Sequence, residues 1–177
     1  MERTSFSDMA CSLARSLEVA TEWWTPLILR DIWIGRTRFS EIHENLGVSR
    51  RVLSDRLGNL VDEGVLTRER YQDRPPRHEY HLTDKGRELM VALLALLSRG
   101  DRWTAEQAGV PMHMRHRGCR QTFRAEVTCS ECGEPVAAGD VRLEPGPGFR
   151  FGRGTEMLPE RHPFHARYVR RHARDAG

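Results

Sequence analysis

Two short helical patterns joined by a tight turn constrain the fold of this 177-residue chain more than any other feature. The first pattern runs from Ser40 to Gly47, and the second runs from Ser49 to Gly64. Serine is a favoured N-cap because its side-chain oxygen accepts a free backbone N–H of the first turn, so Ser40 and Ser49 are the predicted N-caps. Helical spacing in the second pattern predicts a buried face made of Leu53, Leu57, Leu60 and Val61. Two helices joined by a glycine-containing turn predict a helix-turn-helix.

The segments before and after this pair predict a winged domain. Upstream, residues 11–24 show one apolar helical face, and residues 26–34 are apolar nearly all round, which predicts a buried central helix. Downstream, residues 65–71 and 78–82 alternate as short strands do around the turn 72–77, and predict a two-stranded hairpin of the kind called a wing. The expected fold class is therefore mainly α (α+β), a winged helix-turn-helix.

A last helix is predicted at residues 83–99, capped by Thr83 and Asp84, because an acidic residue in the first turn is favoured by the helix dipole. Its run 89–97 is apolar on too many sides for one small core to cover. A second subunit is the simplest cover for such a surface.

Composition divides the chain into four parts. The winged domain is predicted at residues 11–103, followed by a linker at 104–111, for which Gly100 and the glycine and proline after it are the predicted joints. A Cys/His segment follows at 112–141. Residues 142–177 are rich in Arg, Gly and Pro and are expected to be a flexible, disordered tail. We find no internal repeat in the sequence.

The net charge of +3 does not come from residues 1–141. Residues 1–141 contain 20 basic and 21 acidic side chains, whereas residues 142–177 contain 8 and 4. Bulk charge therefore gives residues 1–141 no general attraction for anions, so any contact with an anionic partner depends on the positions of individual arginines.

Arginines occupy two positions at which a winged helix contacts DNA, the start of the second helix of the pair and the turn of the wing. The N-terminal residues of a recognition helix, here predicted at 49–63, meet base edges and phosphates in the major groove. The wing turn carries two more arginines, which suit phosphate or minor-groove contacts. The alternative is an ordinary solvated helix face. The predicted DNA-binding residues are Ser49, Arg50, Arg51, Ser54, Arg56, Arg74 and Arg77.

Several segments, in order, resemble one family, the HxlR-type regulators, which are MarR-related winged helix-turn-helix transcription factors of bacteria. They cover most of residues 11–103: Cys11–Leu17, Trp24–Asp31, Arg38–Ile42, Leu53–Leu57, Tyr80–Gly86 and Gly100–Trp103. The resemblance implies a homodimer formed through the first helix and the helix 83–99, which binds a pseudo-palindromic operator in double-stranded DNA and usually represses a neighbouring gene. It also implies that Cys11 is a sensor of electrophiles or oxidants; the alternative is a small buried residue at the dimer seam.

The spacing H-x2-C-x9-C-x2-C predicts a structural zinc site made of His116, Cys119, Cys129 and Cys132. Residues 122–128 alternate as a strand does, so the expected structure is a small zinc-ribbon-like β hairpin that brings the two pairs together. Such a site is closed and four-coordinate, with no open position for a catalytic water. Three alternatives remain: His113 replaces His116, Cys129 and Cys132 form a disulfide switch, or the thiols stay free.

Other classes fit the sequence poorly. The longest apolar run, 89–97, is about half of a membrane span, and no signal peptide is evident at the N-terminus, so no membrane partner and a cytoplasmic location are expected. Zinc deaminases need H-x-E with P-C-x-x-C, and thioredoxin-like chemistry needs a βαβ setting; both are missing, so no enzyme is expected. The remaining alternative is a zinc-ribbon protein-interaction module on a winged-helix scaffold.

Overall fold

The computed structural model describes residues 5–6, 8–9, 11–20, 22–105, 109–141, 143 and 146–148. Two compact units divide the chain, one made of residues 1–21 and 139–177 and the other of residues 22–138. In the first unit, α1 spans Ser12–Ala20 and a short 3-10 turn spans Ala138–Asp140 at the junction. Most of the predicted tail at 142–177 lies outside the described residues.

The second unit is built around α2, Thr25–Trp33. Pro26 lies in its first turn, where a missing N–H costs no hydrogen bond. Ile28 and Leu29 are fully buried. The helix ends before Gly35, whose φ of 105° favours glycine over any residue with a Cβ. The prediction of a buried central helix is confirmed.

The helix α3 spans Phe39–Leu46 and begins earlier than the sequence predicts. Arg38, and not Ser40, is the N-cap, so that prediction is wrong. The backbone N–H of Arg38 donates to the carboxylate of Glu41 at 3.0 Å, which satisfies a free N–H at the helix start without a serine. Gly47 ends the helix in the left-handed conformation.

The helix α4 spans Arg50–Asp62, and Ser49 is its N-cap as predicted. The hydroxyl of Ser49 accepts the N–H of Val52 at 3.3 Å. The leucines of its predicted buried face are buried, whereas Val61 is only half-buried. The core of this unit comprises Ile28, Leu29, Ile32, Ile42, Val48, Leu53, Leu57, Leu60, Val65, Leu66 and Met90.

The wing is an antiparallel pair of β1, Leu66–Gln72, and β2, Arg77–Leu82, close to the predicted strands. A bulge after Arg70 separates the regular part of the ladder from its last pair. Tyr80 N–H also donates to the carbonyl of Thr37 at 2.8 Å, so the segment before α3 extends the sheet edge. Within the second unit, α2, α3, α4 and the helix that follows the wing form a winged helix with this two-stranded sheet, as predicted.

The last helix, α5, spans Asp84–Thr104 and is longer than predicted. Thr83 caps it, with its hydroxyl accepting the N–H of Gly86 at 3.1 Å. Gly100 was predicted as a joint, but it lies within the helix, and its carbonyl accepts the hydroxyl of Thr104 at 2.8 Å. One glycine lowers the stability of a helix by only about 1 kcal/mol, so α5 continues through Gly100. No helix among the described residues has the length and apolarity needed to span a membrane.

The expected strand at residues 122–128 does not form. The segment instead contains two short hairpins, closed by isolated bridges between Arg115 and Thr122 and between Thr128 and Pro135. Each hairpin contains one of the two predicted ligand pairs, so the single hairpin expected between the pairs is replaced by one hairpin around each. Local backbone hydrogen bonds within each turn outcompete the longer pairing.

Candidate nucleic-acid interface

The N-terminal turn of α4 presents two exposed arginines. Arg50 and Arg51 follow the N-cap Ser49 directly, and both are exposed; Arg51 lies on the opposite side of the helix from the buried leucines. The side chain of Arg51 is 92% exposed, and its contact with Asp55 is long, at 4.0 Å. An exposed pair of this kind is worth little, so the guanidinium is available to a phosphate or a base edge.

Ser54 continues the same outward face, one turn after Arg50 and Arg51, and is exposed. A hydroxyl both donates and accepts a hydrogen bond, so it can contact a phosphate or either kind of base-edge group. The outward face of α4 therefore combines cationic and neutral polar groups over its first two turns.

Arg56 is held differently from the other predicted residues. Its guanidinium pairs with the carboxylate of Glu22 at 2.7 Å, and the two side chains are only 22% and 25% exposed. This ion pair ties α4 to the segment before α2. A phosphate contact by Arg56 therefore requires it to leave Glu22, which makes it a weaker candidate than Arg50 or Arg51.

The wing tip presents Arg74 and Arg77, both exposed. The side-chain amide of Gln72 donates to the carbonyl oxygens of Arg74 at 3.0 Å and of Pro75 at 3.2 Å. These bonds hold the backbone of the tip, so the two arginine side chains extend from a fixed loop. The arrangement suits contact with a phosphate backbone.

Two further arginines of the wing are not among the DNA-binding residues that the sequence predicts. Arg68 and Arg70 alternate along β1 and share one face, paired with Tyr80 and His78 of β2. Burial raises the pKa of the Tyr80 hydroxyl, and the nearby charge of Arg68 partly opposes that rise. Both arginines are exposed, and Arg70 also contacts Asp73 at 3.3 Å. Their spacing of two residues on a predicted strand was the available signal.

Arg38 has a structural role at the base of the wing. Its Nε donates to Glu79 at 2.7 Å, and its guanidinium lies 4.6 Å from the centre of the Tyr71 ring. The hydrogen bond and the charge of Glu79 raise the pKa of Arg38. The start of α3 is thereby joined to both strands of the wing.

The cysteines are unpaired thiols in the structure. Cys11 is half-buried just before α1, and its carbonyl accepts the N–H of Arg15 at 3.1 Å; its sensing role stays a prediction. Cys119 and Cys132 are exposed, and Cys129 is half-buried. Hydrogen bonds from the backbone of Cys132 and then of Glu131 lower the pKa of Cys129. In the part of the chain that the structure describes, no three His, Cys, Asp or Glu side chains converge on one metal position.

Comparison with known proteins gives a consistent result. A family model described as HxlR-like helix-turn-helix matches residues 19–108. Rv3095 of Mycobacterium tuberculosis, an uncharacterised HTH-type transcriptional regulator, is 42% identical over 139 residues, which are 78% of this chain and 88% of the relative. YvaP of Bacillus subtilis, described in the same words, is 38% identical over 101 residues, which are 56% of this chain and 90% of the relative.

Two solved structures show the same architecture. PA1607, a proposed transcription factor, matches with a TM-score of 0.71 and 34% identity over 81% of this chain and 100% of its own. PA1374 of Pseudomonas aeruginosa, another proposed transcription factor, matches with a TM-score of 0.56 and 33% identity over 79% of this chain and 95% of its own.

Proposed function

Because this chain belongs to the HxlR-like helix-turn-helix family, we propose that it binds a pseudo-palindromic operator as a homodimer and represses transcription from it. Its family and its relatives are those of DNA-binding transcriptional regulators and not of enzymes. The operator, the dimer and the direction of regulation belong to the proposal.

One observation carries the proposal, namely the first turn of α4. Arg50 and Arg51 are exposed there, next to a capped helix start, while Leu53 and Leu57 of the same helix are fully buried. The buried leucines fix the rotation of the helix, which keeps Arg51 on its outer side, and Arg50 is exposed in the first turn. A rigid helix with cationic residues at its N-terminal end suits the major groove, where arginine contacts guanine bidentately.

The wing supports a second contact with the same duplex. Residues 1–141 have no excess positive charge, so the exposed arginines of the tip supply phosphate affinity through their position. In this arrangement α4 reads base edges, and Arg74 and Arg77 contact the adjacent backbone or minor groove.

The homodimer is supported by α5. Val91 and Leu96 of this helix are 66% and 56% exposed, in a run where only Met90 among the large apolar residues is buried. A helix with this much exposed apolar surface is stabilised by a second copy. Two-fold symmetry of the dimer then predicts a two-fold symmetric operator.

A gel shift tests the proposal, using the DNA upstream of the protein's own gene and of its divergent neighbour. We expect specific binding, and we expect Arg50→Ala and Arg51→Ala each to weaken it by about 5- to 150-fold, the equivalent of about 1–3 kcal/mol per base contact. Arg117→Ala removes the same charge from an exposed position outside the winged domain and is the matched control.

Comparison with the control distinguishes the effect of an arginine's position on α4 from the effect of its charge alone. If Arg117→Ala weakens binding as much as Arg50→Ala does, attraction is non-specific and the recognition-helix assignment is wrong. Binding that neither Arg50→Ala nor Arg51→Ala changes would favour the interaction-module alternative. Repression is tested with a reporter fused to the bound promoter, whose expression should rise when the gene is deleted; a fall would indicate an activator.

A further inference from the structure

The first hairpin of the Cys/His segment spans residues 114–123. His116 N–H donates to the carbonyl of Gln121 at 2.9 Å, and Arg120 N–H donates back to the carbonyl of His116 at 2.8 Å. The hairpin is closed by the N–H of Phe123, which donates to the carbonyl of Met114 at 3.0 Å. These three bonds define a tight turn that begins at a histidine.

The second hairpin spans residues 127–136 and repeats this pattern bond for bond. Cys129 N–H donates to the carbonyl of Glu134 at 2.9 Å, and Gly133 N–H donates to the carbonyl of Cys129 at 2.8 Å. The N–H of Val136 donates to the carbonyl of Val127 at 2.8 Å. Every partner lies thirteen residues after its counterpart in the first hairpin. The two hairpins therefore repeat the same backbone hydrogen bonds, although their residue types differ.

The repeat places a metal-binding donor at the same two positions of each turn. His116 corresponds to Cys129, and Cys119 corresponds to Cys132. Two donors three residues apart on a tight turn are the usual half of a structural zinc site. Two such halves in one short segment provide four donors of the types that zinc prefers, one imidazole and three thiolates.

The residue after each second donor is in the left-handed conformation. Gly133 has a φ of 77°, which glycine adopts readily, and Arg120 has a φ of 60°. Among the described residues, Arg120 is the one non-glycine residue with positive φ. A residue with a Cβ is held there only when the surrounding turn demands it, so the first turn keeps the backbone of the second despite its different sequence.

The first donor of each turn is oriented by the turn itself. Cys119 N–H points at Nδ1 of His116 at 3.4 Å, and the backbone N–H of Cys132 hydrogen-bonds the sulfur of Cys129. The His116 ring lies against Gly118, where an added Cβ would approach its Cε1 to 3.0 Å. Glycine at this position therefore gives the ring its room.

The same geometry distinguishes the two candidate histidines. His113 lies before the first hairpin, and its counterpart thirteen residues on is Glu126, which lies before the second. His116, in contrast, occupies the position of a cysteine. The repeat selects His116 as the donor.

The two pairs stand on separate turns, and the side chains described do not gather three donors around one point, so a shared metal must draw the turns together. The connection is short, since residues 123 to 127 span at most about 14 Å when extended. Its middle is anchored, because Ala125 N–H donates to Ser98 of α5 at 2.9 Å.

We infer that His116, Cys119, Cys129 and Cys132 bind one Zn²⁺ ion, which joins the two hairpins and fixes the segment beside α5. The site is closed and structural, with four protein ligands, and each cysteine loses its thiol proton to solvent when it binds. This inference does not depend on the proposed DNA binding, because none of the four residues belongs to α4 or the wing.

Elemental analysis of the full chain, purified without a histidine tag, tests the site. We expect about one zinc per chain in the wild type, and a loss of zinc affinity of more than about 100-fold in Cys129→Ser and in His116→Ala, since removal of a ligand costs more than removal of a group that only hydrogen-bonds to a ligand. Cys11→Ser and His113→Ala are matched controls from outside the hairpins and should retain about one zinc.

Two further measurements keep the result decisive if a variant folds poorly. Titration of metal-free wild type with Co²⁺ should produce thiolate-to-metal absorption, and zinc should abolish it. Operator binding by the wild type, measured separately, reports on the winged domain alone. Zinc well below one per chain with no Co²⁺ absorption, a Cys129–Cys132 disulfide in the isolated protein, or equal effects of His113→Ala and His116→Ala would each overturn the inference.

Discussion

A charged side chain, Asp31, is fully buried in the winged domain. Its carboxylate pairs with Arg30 at 2.7 Å and accepts the side-chain N–H of Asn45 at 2.7 Å. Because Asn45 belongs to α3 and Asp31 to α2, this hydrogen bond joins the two helices that position the helix-turn-helix. A buried carboxylate is tolerated only when such donors surround it.

Removal of one donor should therefore be costly. We expect Asn45→Ala to lower the free energy of unfolding by about 1–3 kcal/mol, the cost of leaving a buried acceptor short of a partner. Asn59→Ala changes the same residue type at an exposed position of α4 and should stay within about 0.5 kcal/mol of wild type. Denaturant unfolding measures both, and equal losses would show that the buried bond contributes nothing specific.

At the scale of elements, capping residues and glycines explain where most helices begin and end. Ser49 and Thr83 cap α4 and α5, and Gly35 and Gly47 follow the ends of α2 and α3. The start of α3 departs from this rule, because a glutamate in its first turn satisfies the cap in place of a serine. Elements are thus predictable wherever the stop signal is strong, and their exact ends depend on competing side chains.

The contact between α5 and the segment that joins α4 to β1 depends on a glycine. A Cβ at Gly86 would collide with the backbone carbonyl of Val65, which cannot swing away as a side chain does. We expect Gly86→Ala to destabilise the protein by about 1–3 kcal/mol through overpacking. Gly58→Ala, in the middle of α4 with nothing near its Cβ position, should instead stabilise it by about 0.5–1 kcal/mol. Thermal or denaturant unfolding compares the two; a stabilised Gly86→Ala variant would contradict the observed packing.

At the scale of the whole molecule, the exposed apolar residues of α5 support the proposed dimer. The helix contributes Met90 to the core and leaves Val91, Leu96 and Trp103 exposed. Apolar surface of this extent on one helix favours association, because burial removes it from water at about 25 cal/mol per Å².

A charge introduced at Leu96 should prevent two copies of the chain from associating through α5. We expect Leu96→Glu to raise the dimer dissociation constant by at least about 30-fold, the effect of losing a contact worth 2 kcal/mol or more, without unfolding the chain, since Leu96 is 56% exposed. Met112→Glu, at a residue 75% exposed and outside α5, is the control. Light scattering across a concentration series measures both, and an unchanged dimer in Leu96→Glu would refute this interface.

The sequence predicted the exposure of some arginines of the candidate interface but not the ion pairs that others form. Periodicity alone placed Arg51 outward, because a helix rotates about 100° per residue and the leucines define its inner face. Arg50, seven residues before Leu57, lies near that inner face by the same rule, so its exposure was decided by the tertiary structure. The pairing of Arg56 with Glu22 was not predictable, since nothing local signals a contact between residues so far apart in the chain. The same holds for Arg38, whose partner Glu79 lies 41 residues away.

By itself, the sequence determined the winged fold, the family and the outward residues of α4, because caps, glycines and apolar spacing act locally and leave their record in consecutive residues. The tertiary structure alone decided which arginines are engaged in ion pairs, how Asp31 is satisfied and where α5 touches Val65. It also revealed the repeated hairpins at 114–123 and 127–136, because backbone hydrogen bonds do not require identical side chains. Contacts between distant residues depend on packing in three dimensions, which no local pattern encodes.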